Sequence, residues 1–179
     1  MRIIAGAAKG TRLAGVPSGT RPLSDRAREG MFASLGDLVP GSRCVDLFAG
    51  TGAVGLEALS RGARSCVFVD SGRRALATIR DNLGRTGLSE HAEVIRTDLR
   101  RGRVPDGPFD LAFLDPPYAF PVGALRRVLA ETAERLEPGG AGALTRPARS
   151  STDVIPVNWQ VVKRLAYGDA RILLFREGP

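Results

Sequence analysis

The sequence predicts an α/β fold: a doubly wound, mostly parallel sheet that closes with a carboxyl-terminal antiparallel hairpin and is preceded by a small basic extension. Three observations predict it. From Arg43 onward short apolar runs alternate with helix-patterned stretches, and strands fed by crossover helices build a parallel sheet. A glycine-rich turn, Gly50-Thr51-Gly52-Ala53-Val54-Gly55, stands between the first run and the first of those helices. Near the end two strand-like runs flank Tyr167-Gly168-Asp169, a hairpin signal rather than another crossover.

Taken in chain order, residues 2–14 read as two short strands, Arg2–Ala5 and Thr11–Ala14, around a turn containing Gly6 and Gly10. A Gly/Pro/Ser-rich linker covers residues 15–22. Ser24 or Asp25 caps a helix whose apolar positions are Met31, Phe32 and Leu35. Gly30 inside that helix costs about 1 kcal/mol relative to alanine. Parallel strands are expected at Cys44–Leu47, Ser65–Asp70, Glu93–Arg96 and Phe109–Leu114, with a fifth at Ala141–Thr145. Helices are expected near Ala53–Ser60 and Arg73–Thr86. Another, near Val122–Leu136, puts Val122, Leu125, Val128, Leu129 and Leu136 on one face and stops at Pro138-Gly139-Gly140. The closing hairpin pairs Val157–Ala166 with Ala170–Arg176. The expected division is a basic extension over residues 1–36, hairpin and helix, and the main domain over 37–179.

At 179 residues the chain suits one compact domain with a small appendage. Such a domain buries roughly 68–70% of its unfolded surface and needs no metal or disulfide staple. Cys44 and Cys66 each lie in an apolar run and read as buried, reduced thiols, which suits a cytosolic chain. The lone His91 has no clustered partners, so no metal site is expected. The apolar start, Ile3 to Ala8, is shorter than a signal-peptide core, and nothing approaches the roughly 18 apolar residues of a membrane span. A cytoplasmic monomer without membrane contact is expected.

The net charge of +7 and a pI near 10.6 point to a polyanionic partner. Residues 1–30 hold Arg2, Lys9, Arg12, Arg21, Arg26 and Arg28 against only Asp25 and Glu29. The preference for arginine over lysine fits codon bias, but the crowding at one end does not. These six residues are the expected nucleic-acid contacts. Arg100-Arg101-Gly102-Arg103 is a second, shorter basic loop that reads as a solvated charge run or, alternatively, as a phosphate contact.

The motif G-x-G-x-x-G alone fits NAD, FAD and S-adenosylmethionine alike. Two acids narrow the choice. Asp70 ends the second strand, where a carboxylate accepts hydrogen bonds from ribose hydroxyls. Asp46, at the end of the first strand, suits a ligand carrying ammonium and sulfonium charges and repels a pyrophosphate. Asp98, after the third strand, suits the adenine amino group. The expected cofactor is therefore S-adenosylmethionine, held by Asp46, Phe48, Gly50, Thr51, Gly52, Asp70, Ser71, Asp98 and Leu99.

Asp115-Pro116-Pro117-Tyr118 closes the apolar run Phe109–Leu114. An arylamine nitrogen is a weak nucleophile because its lone pair is delocalised into the ring. The Asp115 carboxylate and the Pro116 carbonyl suit the N–H groups of such a nitrogen as it becomes tetrahedral. Pro116 and Pro117 fix φ and remove two donors, and Tyr118 can stack on a base for roughly 1–3 kcal/mol. These four residues are the expected catalytic group.

The D-P-P-Y box after F-A-G-T-G resembles the amino-methyltransferases of Rossmann-like fold. Arg2-Ile3-Ile4-Ala5-Gly6, the stretch from Thr20-Arg21-Pro22 through Asp25-Arg26 to Arg28-Glu29, Gly55–Ala63 and Tyr167-Gly168-Asp169 resemble the RsmD family in particular. The resemblance covers essentially the whole chain. It implies methylation of guanine N2 in bacterial 16S ribosomal RNA, as naked RNA or small-subunit ribonucleoprotein. It also implies cofactor contacts at Asp46, Gly50, Gly52, Asp70 and Asp98, and a role in RNA binding or closure for Arg21, Asp25, Arg26 and Arg28. Gly30, Ala33 and Thr145-Arg146-Pro147 depart from the usual family pattern.

Four other functions share parts of these motifs. A DNA adenine N6-methyltransferase has the same box but normally carries a target-recognition segment. Protein glutamine methylation favours Asn before Pro-Pro-Tyr. A dinucleotide-dependent dehydrogenase leaves Asp46 and Asp115–Tyr118 unexplained. A non-catalytic RNA-binding module leaves both motifs idle.

Overall fold

A computed structural model describes residues 1–15, 23–151 and 153–177. Most of the expected linker, with Arg21, lies outside the described residues. The elements run α1 (Asp25–Leu35), β1 (Arg43–Leu47), α2 (Ala53–Ser60), β2 (Ser65–Asp70), α3 (Arg73–Thr86), β3 (Ala92–Arg96), β4 (Phe109–Leu114), α4 (Val122–Ala133), β5 (Leu136–Pro147), β6 (Trp159–Tyr167) and β7 (Ala170–Glu177). One seven-stranded sheet has the order β3-β2-β1-β4-β5-β7-β6. β1 to β5 are parallel, and β7 is antiparallel to both β5 and β6. The expected doubly wound sheet with its closing hairpin is therefore present.

Side chains alternate across a strand, so each strand feeds two cores. Cys44, Cys66, Phe68, Leu111, Phe113, Ala141 and Ala143 pack with α1, α2 and α3. Val45, Leu47, Val69, Ala112, Leu114, Leu144 and Phe175 pack with Leu125, Val128 and Leu129 of α4. With both faces covered, the central strands read as almost unbroken apolar runs. Cys44 and Cys66 are free, buried thiols facing each other across β1 and β2.

Three expectations are corrected. The two amino-terminal strands reduce to one bridge, Arg2 to Arg12. The backbone N–H groups of Ile4 and Ala5 donate instead to the Glu57 carboxylate on α2, at 2.8 and 3.0 Å. The helix expected to reach Leu136 ends at Ala133, and Leu136 opens β5, paired with Phe109. Its helical spacing from Leu129 is coincidental, and Val122, assigned to the apolar face, is 49% exposed. Arg28, finally, is fully buried in the first core. Its Nη2 donates to the Arg2 carbonyl at 2.6 Å and to Asp25 at 2.9 Å, and burial lowers its pKa. It fastens the extension from inside and is not an RNA contact.

α1 is capped as expected, the Ser24 hydroxyl accepting from the Ala27 N–H at 3.2 Å. Gly30 within it has a packing reason. A Cβ built there would stand 1.7 Å from the Tyr167 hydroxyl oxygen, at the end of β6. Gly30→Ala should therefore lose the gain of about 1 kcal/mol that alanine normally brings to a helix, and destabilise the chain instead. In a Tyr167→Ala background the same change should stabilise. Denaturant unfolding of the four members of the cycle checks this; additive effects would show that the two residues do not compete for space.

Candidate active site

The sheet order reverses between β1 and β4, the place where open parallel sheets bind ligands beyond the strand ends. β1 leads into the glycine-rich turn, and β4 leads into Asp115–Tyr118. The Asp115 N–H donates to the Leu47 carbonyl at 3.4 Å, so the two loops leave the sheet side by side.

The turn is held in an unusual backbone. Phe48, Gly50 and Gly52 have φ of 64°, 57° and 75°. For Phe48 this left-handed conformation costs on the order of 1–2 kcal/mol, an outlay sustained only where packing dictates it. Its ring meets Phe120 edge-on at 4.8 Å, which ties the turn to the segment after the Pro-Pro loop. Asp70 braces the turn from β2, one oxygen accepting from Gly50 N–H at 2.9 Å and the other from Gly72 N–H at 2.8 Å. The Thr51 carbonyl accepts from the Asn82 side chain at 2.9 Å.

Asp46 is 2% exposed and accepts from the Gly55 N–H at 2.9 Å, in the first turn of α2. Burial pushes its pKa up to about 7; the Gly55 bond opposes this, and the charges of Asp115 and Asp70 add to it. The carboxyl thus sits under the turn, as a cap inside the helix entrance.

Asp115 follows β4 and shares a cavity of about 280 Å³ with Leu23, Arg26, Tyr118, Thr145, Tyr167 and Asp169. Burial pushes its pKa up to about 6, opposed by a hydrogen bond from the Thr145 side chain. Pro116 is buried, Pro117 and Tyr118 are exposed, and the Pro117 carbonyl accepts from Phe120 N–H at 2.8 Å to close the loop.

The remaining expected residues divide. Ser71 is exposed beside Asp70, and its carbonyl accepts from Arg96. Asp98 is partly exposed and pairs with Arg100 at 2.8 Å, which lowers its pKa. Leu99 is 2% exposed and belongs to the core on the α4 side. Arg2, Lys9, Arg12 and Arg26 are exposed, as a polyanion contact requires. Phe120, Thr145 and Asn82 were not expected at the site. Thr145 stood out in the sequence only as a departure from a family pattern, because its nearness to Asp115 depends on how β4 and β5 pair.

A family model described as conserved hypothetical protein 95 matches residues 1–176. The chain is 31% identical to Ribosomal RNA small subunit methyltransferase D of Escherichia coli, over 98% of this chain and 89% of that protein. It is 42% identical to a candidate rRNA methyltransferase of Bacillus subtilis, over 66% of this chain and 67% of that one. Among solved structures, a candidate methyltransferase of Escherichia coli superposes with a TM-score of 0.83 at 28% identity, covering 99% of this chain and 97% of that one. The chain belongs to the conserved hypothetical protein 95 family, the RsmD family that its motifs resemble.

Proposed function

We propose that this chain transfers a methyl group from S-adenosylmethionine to the exocyclic N2 of a guanine in 16S ribosomal RNA of the small ribosomal subunit. One observation carries the reading. The glycine-rich turn and the Asp115–Tyr118 loop leave adjacent strand ends, bonded to each other at Leu47 and Asp115, with a cavity roomy enough for a base beside Asp115. The name of the Escherichia coli relative that matches nearly the whole chain supports the same direction.

The turn suits this cofactor better than a dinucleotide. A pyrophosphate would seek the N–H groups at the amino end of α2. The Gly55 N–H there is already taken by Asp46, and a carboxyl under the turn repels a second anion. A sulfonium cofactor meets no such conflict. Gly50 lacks a side chain that would bar close approach of an adenosyl group, whereas a Cβ at Gly52 would press on Ile79 and Phe68 of the core. Each Asp70 oxygen accepts one backbone N–H and keeps a lone pair for a ribose hydroxyl. Asp98 would share its oxygens between Arg100 and the adenine amino group. When bound, S-adenosylmethionine supplies an electrophilic methyl group on a positively charged sulfur.

The protein's own work is at the base. With its pKa near 6, Asp115 is mostly ionised at neutral pH and accepts a hydrogen bond from the amino group. It is also basic enough to take the proton that becomes acidic once the N–CH3 bond forms. Tyr118, 61% exposed, offers a ring face for stacking. Asp169 lines the same cavity, and a second carboxylate favours guanine, whose N1 carries a proton, over adenine, whose N1 is an acceptor. Positioning and fixed charge supply most of the rate. In this reading residues 1–36 are an RNA-facing extension of a catalytic domain spanning 37–179.

The direct test is to incubate small-subunit particles from cells deleted for this gene with labelled cofactor and map the modified nucleotide. Label at guanine N2 is expected; label on adenine, or none, counts against the proposal. Asp115→Asn should lower transfer roughly 10²–10³-fold, the usual effect of removing one aligned polar group, while calorimetric cofactor affinity stays unchanged. Asp70→Asn should do the reverse, weakening cofactor binding first; an unaltered dissociation constant would exclude the ribose contact. Replacing Arg2, Lys9 and Arg12 together by alanine should flatten the salt dependence of RNA binding, by about 0.7 in log–log slope for each lost phosphate contact. An unchanged slope would mean that the extension does not touch phosphate.

A further inference from the structure

We propose that Thr145 is a positioning residue for the transfer step, its hydroxyl holding the Asp115 carboxylate as a hydrogen-bond acceptor for the amino group of the incoming base. The proposal rests on the methyl-transfer reading above.

Strand register brings the pair together. Leu114 and Leu144 are paired in the parallel ladder of β4 and β5, and the next residue of each strand is Asp115 and Thr145. Both continue the side-chain row of Phe113 and Ala143, which faces α1 and α2. Thr145 is 7% exposed and lines the same cavity as Asp115, and its hydroxyl works against the effect of burial on the Asp115 pKa. Its backbone is fixed by pairing with Ile172 of β7, and a β-branched side chain on a strand has few rotamers to choose from. The hydroxyl is thus pre-set.

The chemistry explains why this matters. A base amino group presents N–H donors, so Asp115 must be an acceptor. Burial favours its neutral form, which would present a proton where an acceptor is needed. The other groups facing Asp115 come from several elements. Asp46 on β1 is an acid whose own pKa the Asp115 charge raises. Arg26 on α1 lines the cavity from an exposed position, where solvent screens it. Tyr118 in the same loop, and Tyr167 and Asp169 at the β6–β7 turn, complete the lining. Among the described residues Thr145 supplies the side-chain hydrogen bond that opposes burial.

The test compares the native chain with Thr145→Val, which keeps the shape and removes the hydroxyl, and Thr145→Ser, which restores it. Two measurements are needed: carboxyl-carbon NMR titration of Asp115, assigned with Asp115→Asn, and the pH profile of single-turnover transfer to small-subunit particles. In Thr145→Val the Asp115 midpoint and the acid limb of the profile should both move up by roughly 1 pH unit, the effect of losing one hydrogen bond to a charge. Transfer should then fall several-fold more at pH 6 than at pH 8, cofactor affinity should be unchanged, and Thr145→Ser should recover the native values. An unmoved midpoint overturns the proposal. So does a moved midpoint with an unmoved profile, or a loss of activity equal at every pH that serine does not rescue. Thr145→Ala serves should the valine variant not fold. No transfer by the native chain at any pH would instead sink the methyl-transfer reading, with the NMR titration still reporting on the contact.

Discussion

The parallel register of β1, β4 and β5 decides everything at this site. Leu47, Leu114 and Leu144 form one row across the three strands and are buried in the core on the α4 side. Because side chains alternate, the residue just before Leu47 and those just after Leu114 and Leu144 must face the opposite side. Those residues are Asp46, Asp115 and Thr145. Burying each leucine is worth roughly 1.5–3 kcal/mol, and a slip of one residue would turn that strand's whole apolar set towards the wrong face. The polar groups are thus held in place by the apolar row between them, not by attraction for one another. Two of the three are carboxyls that repel.

That repulsion has a structural answer. Asp46 is buried beside two other acids, and each of these influences works against its charge. What keeps it there is the Gly55 N–H at the amino end of α2, a donor with no partner inside the helix. Next to it Phe48 holds a left-handed backbone, compensated by its contact with Phe120. Unfavourable local choices cluster within a few residues of the switch point, and the packed leucine row beneath sustains them. This is the pattern expected where a backbone is shaped for a ligand rather than for stability.

Much of this was legible in the sequence because it depends on local chemistry. The strand runs from Arg43 onward, the glycine turn, the Tyr167-Gly168-Asp169 hairpin and the Ser24 cap each carry a signal within a few residues, and these stand as expected. What could not be read depends on distant partners. Thr145 lies 30 residues from Asp115 in sequence, and only the β4–β5 register joins them. Leu136 continues a helical spacing, yet pairing with Phe109 draws it into β5. Arg28 looks like one more cation in a basic segment until Arg2 and Asp25 close around it. Gly30 looks like a flaw in a helix until Tyr167 is placed against it.

The same distant contacts make the amino-terminal extension part of the main core rather than a separate lobe. Ile3, Ala8 and Leu13 share one apolar cluster with Leu56 of α2 and Ile79 of α3. Glu57, itself fully buried, answers the N–H groups of Ile4 and Ala5, and Ser60 bonds both Ala5 and Ala8. Asn82 spans further. It accepts from the Ala14 N–H at 2.7 Å and donates to the carbonyls of Ala14 and Thr51, at 3.1 and 2.9 Å. One fully buried amide therefore joins the end of the basic segment to the glycine-rich turn. Removing either partner would leave a buried polar group unmatched, which typically costs about 1–3 kcal/mol. Segment and turn are in this way joined, and the exposed cations Arg2, Lys9 and Arg12 stand on a base packed into the main core.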